Sequence, residues 1–220
     1  MVINPHDLLE IKRNTEFLLC SPVPDWVNTS LHETPVVVVR RAPRIDGKIP
    51  VGVRGKERSE RFGAYIDSSD ILKHFSPPTI LQMKEWKNKA QNHPMPAVQA
   101  LDLVDEIVGK FKLLWGPGGS VGFELVSGNP TVKETSDLDI IIFSKEPFSV
   151  DTAIELLSRF NQLPVTVDVQ VEIPTGSISL AEYARGNFPI LLKTNKGARL
   201  VDKPWGLRKE STLNSNFVMK

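Results

Sequence analysis

Two aspartates stand one residue apart where a strongly apolar run begins, in the segment SDLDIIIF. Asp137 and Asp139 flank Leu138, and side chains two residues apart on an extended chain point to the same side. Carboxylates held this close repel each other unless a cation or a shared proton lies between them. Because LDIIIF is typical of a buried strand, we expect its leading end to face a cleft. Oxygen ligands of this kind suit Mg²⁺, which assists phosphoryl transfer, so the pair predicts a magnesium site.

The segment GPGGS precedes these aspartates and supplies Gly116, Gly118 and Gly119. Glycines let the backbone turn tightly and approach a ligand, and successive N–H groups in such a turn bind anions. A helix that begins at Ser120 would add its positive end, and Ser120 would either cap that helix or donate its hydroxyl to a phosphate. Gly128 is expected to end the helix. The segment predicts a phosphate-binding turn at Gly118, Gly119 and Ser120; a connector without a ligand is the alternative.

A third carboxylate is expected on a neighbouring strand, and the alternating segment VTVDVQVE supplies two candidates. Its polar side chains share one face and its valines the other; the polar residues are Thr166, Asp168, Gln170 and Glu172. Asp168 lies centrally, whereas Glu172 stands close to Pro174, where the strand is expected to leave the sheet. We therefore predict that Asp168 completes a metal site with Asp137 and Asp139. A half-exposed strand with a polar outer face is the alternative.

Basic residues are concentrated between residues 40 and 61. Three acidic residues oppose eight basic ones, which are Arg40, Arg41, Arg44, Lys48, Arg54, Lys56, Arg58 and Arg61. This excess suggests a polyanionic partner, and we expect Arg54 and Arg58 to bind substrate. A solvated surface without a partner is the alternative. Nucleic acid is disfavoured because no aromatic residues interleave with the charges for base stacking.

Helical and strand patterns alternate after Pro96, which predicts an α+β protein with a mostly covered sheet. Apolar spacing favours one helix from residue 96 to the glycine segment, followed by the strand LDIIIF, the helix VDTAIELLSRF and the strand VTVDVQVEI. PILLKTN is a further strand or a short helix.

The first part of the chain predicts a small sheet beside short helices. PHDLLEI is typical of a helix that begins near a proline, which gives His6 a structural role at the helix start. TPVVVVRR and VGVRG favour two strands, and Pro77, Pro78, Pro94 and Pro96 bracket a polar stretch. We therefore predict a basic N-terminal α/β module over residues 1–90 and a second domain over residues 91–220.

Bulk composition is that of an ordinary soluble protein of 220 residues with a net charge of +1. Cys20 is the only cysteine, which excludes an internal disulfide and a thiolate metal cluster. The chain lacks a long apolar run and a signal-peptide pattern, so we expect a cytoplasmic protein without membrane contact.

GGS followed by SDLDIII resembles the signature of the nucleotidyltransferase superfamily that includes polymerase β. Members combine a Gly-Ser phosphate loop, an Asp-x-Asp metal pair and a third carboxylate. The resemblance implies a nucleotidyltransferase-like mixed sheet with helices. Residues 121–136, between the loop and the first aspartate, form a longer connection than many members have.

A closer resemblance covers most of the chain and is to the phosphoribosyl-dephospho-CoA transferases, also called malonate decarboxylase holo-acyl-carrier-protein synthases. The segments that carry it occur in the family's order: PHDLLEI, PVVVVRRA, VGVRGKERSERF, GPGGSVGFELVSG, SDLDIII and VDVQVE. It implies transfer of phosphoribosyl-dephospho-CoA from triphosphoribosyl-dephospho-CoA to a serine of the malonate decarboxylase acyl carrier protein, with release of pyrophosphate. Asp137, Asp139 and Asp168 would then hold Mg²⁺, while Gly119 and Ser120 would bind phosphates. Two alternatives are an adenylylating nucleotidyltransferase and a nucleotide-binding regulatory module without turnover.

Overall fold

The computed structural model describes residues 2–19, 21–57, 59–83, 87 and 93–206. Arg58 and Cys20, both singled out from the sequence, lie outside these residues. The described chain forms two six-stranded sheets with helices, which confirms the α+β fold. Within the described residues no helix is long and apolar enough to cross a membrane.

The N-terminal sheet is antiparallel throughout and has the strand order β2-β5-β4-β3-β1-β6. Its strands are β1 Leu8–Ile11, β2 Leu18–Leu19, β3 Val36–Val39, β4 Ile49–Arg54, β5 Arg61–Ile66 and β6 Ile71–Phe75. Helix α1 Asp25–Glu33 packs on this sheet, and helix α2 Pro77–Gln82 follows β6 and contacts the C-terminal half. The strands predicted in TPVVVVRR and VGVRG are therefore confirmed.

The helix predicted in PHDLLEI is wrong, because Leu8–Ile11 form strand β1. This strand lies between β3 and β6 and pairs with both. Leu8 and Leu9 are both buried, but in different clusters of the core, as expected for neighbours that point to opposite faces of a strand. Tertiary pairing on both edges therefore overrides the local helical pattern.

The C-terminal sheet is mixed and has the order β12-β11-β10-β9-β8-β7, with β8 and β9 parallel and its other pairs antiparallel. Its strands are β7 Leu114–Pro117, β8 Leu138–Phe143, β9 Val167–Ile173, β10 Gly176–Ser179, β11 Ile190–Thr194 and β12 Gly197–Val201. The helices are α3 Pro96–Gln99, α4 Leu101–Lys110, α5 Gly119–Ser127, α6 Val150–Phe160 and α7 Leu180–Ala184.

Most of the elements predicted in this half are confirmed, with one correction. LDIIIF is β8, VDTAIELLSRF is α6, VTVDVQVEI contains β9, and PILLKTN contains β11. The single helix predicted from residue 96 to the glycine segment is instead two helices, α3 and α4, followed by β7. Leu114 belongs to that strand, where it pairs with Phe143 of β8.

Two clusters of buried side chains hold the molecule together. The smaller cluster joins the N-terminal sheet to α1 through residues such as Val27, Val37 and Val51. The larger cluster lies around the C-terminal sheet and also includes Leu8 and Val36 of the N-terminal sheet. The two sheets therefore share a core. The junction predicted near residue 90 stays a prediction, because residues 84–86 and 88–92 lie outside the described chain.

Candidate functional site

A cavity of about 460 Å³ lies between the two sheets and receives residues from both. The N-terminal sheet supplies His6, Arg54, Lys56 and Arg61, and the C-terminal half supplies the glycine turn, Asp137 and Asp139. Its volume is within the range of ordinary ligand pockets. The residues predicted from GPGGS and SDLDIII therefore meet in one place.

The glycine turn connects β7 to α5 and lies directly against Asp139. The Gly118 N–H donates to the Asp139 carbonyl at 2.9 Å. Gly119 has a φ of +53°, and a Cβ at this position would overlap the carboxylate of Asp139. Glycine is therefore required here for the backbone conformation and for the close approach.

Other residues of the segment GPGGS have roles that differ from the predicted ones. Gly116 lies in β7, where a Cβ would overlap the backbone of Pro77, so this glycine serves packing instead of ligand approach. The helix begins at Gly119 with Gly118 as its N-cap, so of the two roles considered for Ser120 the structure excludes capping. Ser120 is buried in the first turn and lines the cavity. Gly128 ends the helix with a φ of +74°, as predicted.

Asp137 and Asp139 both line the cavity, as expected for residues two positions apart on an extended chain. The pKa of Asp139 is raised to about 6, first by burial and then by the negative charges of Asp137 and Asp168. Arg54 and His6 oppose this shift. The three predicted carboxylates therefore interact electrostatically, and a cation beside them would relieve their repulsion.

The structure places Asp168 and Glu172 in different surroundings. Asp168 is exposed and stands opposite Asp139 in the register of the parallel pair β8–β9. Glu172 remains inside β9, opposite Phe143, so the strand does not leave the sheet before it as expected. The Glu172 carboxylate instead forms an ion pair with Arg41 and a hydrogen bond with His6. Asp168 is thus the candidate that lies beside the aspartate pair, and its catalytic role stays a prediction.

The two aspartates are suited to Mg²⁺, and less to a metal ion whose ligands all come from the protein. Within the described residues, no group of three or more His, Cys, Asp or Glu side chains is arranged to hold a metal. Mg²⁺, however, commonly uses one or two carboxylates and takes its other ligands from substrate phosphates and water. Asp137 and Asp139 line one cavity, and Asp168 stands opposite Asp139 on the neighbouring strand, so this crowding of carboxylates is the observation that supports such a cation.

Positive side chains surround the carboxylates, mainly from the hairpin of β4 and β5. Arg54 ends β4 and lies over the Phe123 ring at 5.7 Å. Lys56 and Arg61 also line the cavity, and Lys133 joins them from the other half of the chain. Of the two arginines predicted to bind substrate, Arg54 therefore reaches the cavity, and Arg58 lies outside the described residues.

The connection between the glycine turn and Asp137 forms part of the cavity wall. Glu124 Oε2 accepts from the N–H groups of Thr131 at 2.6 Å and Val132 at 2.7 Å. Its Oε1 contacts His93 Nε2 at 2.8 Å. These bonds fold the connection so that Thr131 and Lys133 line the cavity. The long connection between the glycine turn and Asp137 therefore contributes residues to the cavity.

Sequence reasoning missed Lys133 and His6 as cavity residues. Lys133 is an isolated lysine in a connection without regular structure, and no motif around it indicates a cavity residue. His6 was assigned to a helix start, whereas it precedes strand β1 with a φ of +73°. The segment PHDLLEI, which carries part of the family resemblance, was the available signal for His6.

Comparisons with known proteins identify the family. The model of the "Phosphoribosyl-dephospho-CoA transferase MdcG C-terminal domain" matches residues 81–204, and the corresponding N-terminal domain model matches residues 4–77. A phosphoribosyl-dephospho-CoA transferase of Pseudomonas syringae pv. tomato is 35% identical over 211 residues, which are 94% of this chain and 95% of the relative. That of Azotobacter vinelandii is 36% identical over 202 residues, covering 91% and 93%. No solved structure matches significantly.

The relatives that match this chain make it a transferase, and the name that they share fits paired carboxylates beside a glycine turn in an α+β fold. More particularly, the chain belongs to the phosphoribosyl-dephospho-CoA transferase family.

Proposed function

We propose that this enzyme transfers the phosphoribosyl-dephospho-CoA group from triphosphoribosyl-dephospho-CoA to a serine of the malonate decarboxylase acyl carrier protein, with release of pyrophosphate, in the cytoplasm. The observation that carries the proposal is the contact between the glycine turn and Asp139 inside a basic cavity. This arrangement pairs anion-binding groups with carboxylates, as transfer of a charged phosphoryl group requires.

The basic wall suits the triphosphate of the proposed substrate. Arg54, Lys56, Arg61 and Lys133 supply cations, and α5 directs its N-terminus to the same cavity. A triphosphate is a strong polyanion, so charge-assisted hydrogen bonds to these groups would orient it. Neutralisation of the phosphates by these cations would also reduce their repulsion from Asp137 and Asp139.

The carboxylates would hold Mg²⁺ through Asp137 and Asp139, with Asp168 as the proposed third carboxylate. When bound, Mg²⁺ stabilises the negative charge that develops on the oxygens of a phosphoryl transfer. The protein contributes fixed positions for its ligands: the Asp139 backbone is tied to Gly118, and its side chain packs against Gly119. Such preorganisation means that little rearrangement is needed when the reaction occurs.

The proposal is tested by incubating the purified enzyme with triphosphoribosyl-dephospho-CoA, Mg²⁺ and the apo carrier protein, then weighing the carrier. We expect the carrier mass to increase by one phosphoribosyl-dephospho-CoA group and an equal amount of pyrophosphate to appear. A carrier variant with alanine at the acceptor serine is the control and should stay unmodified.

Other outcomes would replace the proposal with the alternatives. If ATP instead adds an adenylyl mass to an acceptor, the enzyme is an adenylyltransferase. If the nucleotide binds but neither pyrophosphate nor a modified carrier forms, the protein is a binding module.

A further inference from the structure

His6 is the histidine that lines the cavity among the four in the chain, all of which the structure describes. His32 is exposed on α1, His74 contacts Asp7, and His93 contacts Glu124. The His6 side chain is 31% exposed, so it is accessible from the cavity without being fully solvated. It is also near enough to Asp139 to be among the groups that lower the pKa of that residue.

The backbone at His6 is in an unfavourable conformation that its neighbours maintain. Its φ of +73° lies in the left-handed region, which residues with a Cβ rarely adopt. The following residue, Asp7, is 1% exposed, and its Oδ2 accepts from the Asn4 N–H at 2.8 Å. The same oxygen contacts His74 Nε2 at 2.6 Å. Strained residues that are held in this way concentrate at functional sites.

The His6 ring is oriented by a residue of the other sheet. Its Nε2 lies 3.2 Å from Glu172 Oε1, which also receives the guanidinium of Arg41. A carboxylate only accepts hydrogen bonds, so Nε2 donates and Nδ1 is left as the acceptor of the ring. Nδ1 can accept a proton only in the neutral ring, which is the form that a general base requires. The arrangement is that of a base oriented by a third group.

We propose that His6 is the general base of the transfer, an inference that rests on the proposed function. The serine Oγ forms a bond to the phosphorus that carries the pyrophosphate, and the Oγ proton passes to His6 Nδ1. The bond from phosphorus to the pyrophosphate oxygen breaks, and pyrophosphate leaves with the electron pair. Glu172 and Arg41 act as positioning residues for the ring.

The neighbouring carboxylates are less suited to this role. Asp137 and Asp139 are assigned to the cation, and a carboxylate that binds a cation is a weaker proton acceptor. His6 comes from the N-terminal half of the chain and contacts Glu172, which lies on the same face of β9 as Asp168 and four residues further along the strand. A phosphoryl group bound between the aspartates and His6 would have the cation on one side and the base on the other.

The experiment uses His6→Gly and His6→Asn, because glycine and asparagine both tolerate a positive φ and should preserve the fold. We expect kcat for carrier modification to fall by about 10²–10⁴-fold, with little change in the KM of triphosphoribosyl-dephospho-CoA. Imidazole added to His6→Gly should restore turnover, and the more basic 4-methylimidazole should restore it more at equal concentration. His32→Ala is the matched control and should keep the wild-type kcat.

Each other result would overturn the assignment. A kcat near the wild-type value in His6→Gly, or a loss that no imidazole restores, would show that His6 is not the base. If the restored turnover does not depend on the basicity of the added imidazole, the His6 ring only fills space in the cavity. If the wild-type enzyme itself leaves the carrier unmodified, the proposed function fails, and this inference fails with it.

Discussion

The two sheets contribute opposite charges to the same cavity. The N-terminal sheet supplies cations and His6 from the β4–β5 hairpin and from the turn before β1. The C-terminal sheet supplies the carboxylates and the glycine turn. This difference suggests a division of labour, in which the basic β4–β5 hairpin binds the polyanionic substrate, whereas the carboxylates of the C-terminal sheet, together with His6, support the chemistry at phosphorus. Variants in the C-terminal sheet should then lower kcat, and variants in the basic hairpin should raise KM.

The largest effect is expected for Asp139→Asn. A neutral amide is a poorer ligand for Mg²⁺, so we expect kcat for carrier modification to fall by about a hundredfold or more. Asp137→Asn should behave in the same way, and Asp168→Ala tests the third carboxylate. Circular dichroism should show an unchanged fold. Near-normal turnover in both Asp137→Asn and Asp139→Asn would refute a metal site at this pair.

Gly119→Ala tests the close approach of the turn to Asp139. The added Cβ would overlap the Asp139 carboxylate and would be strained by the φ of +53°. We expect a shift of the turn and a loss of about a hundredfold in kcat, as small displacements of reacting groups cause. Gly109→Ala is the matched control, because a Cβ there meets nothing within 4 Å. Equal activities in the two variants would contradict the role of the turn.

Arg54→Gln should affect binding more than chemistry. Loss of one cation from the cavity wall is expected to raise the KM of triphosphoribosyl-dephospho-CoA by about tenfold with a smaller change in kcat. Arg54 is only partly buried, so the difference from wild type should shrink at high salt, where screening weakens its attraction to the polyanion. Arg13→Gln removes an equal charge from an exposed site outside the cavity and serves as the control. A lower kcat without a change in KM would contradict the proposed division between the basic hairpin and the carboxylates.

The smallest expected effect is on stability, again at Asp139. Its pKa is raised in the folded protein from 3.8 to about 6. Below pH 3.8 the Asp139 carboxyl is protonated in both the folded and the unfolded protein and does not change the free energy of unfolding. Above about pH 6 it is ionised in both, and its partial burial in the folded protein lowers the free energy of unfolding. Without Mg²⁺, the melting temperature of Asp139→Asn should therefore exceed that of wild type by an amount that grows as pH rises from 4 to 7. Thermal denaturation at several pH values measures this, and a constant difference would contradict it.

Local patterns predicted much of the C-terminal half, because its elements are long, strongly apolar and bounded by clear signals. LDIIIF and VDTAIELLSRF became β8 and α6 with the predicted bounds, and Gly128 ends α5. The errors fall where long-range pairing decides the structure. PHDLLEI has a helical pattern but contains strand β1, because this segment pairs with β3 on one edge and with β6 on the other.

The sequence by itself determined which chemistry this protein carries: an Asp-x-Asp pair, a glycine turn and a basic segment, in an order that matches one family. These features depend on the spacing of near neighbours, which a chain encodes locally. Only the tertiary structure decided which basic side chains reach the carboxylates. It also placed Glu172 with Arg41 and His6. Glu172 is distant in sequence from both partners, so its hydrogen bonds depend on how the sheets pack and not on any local pattern. The same packing gives His6 its place in the cavity.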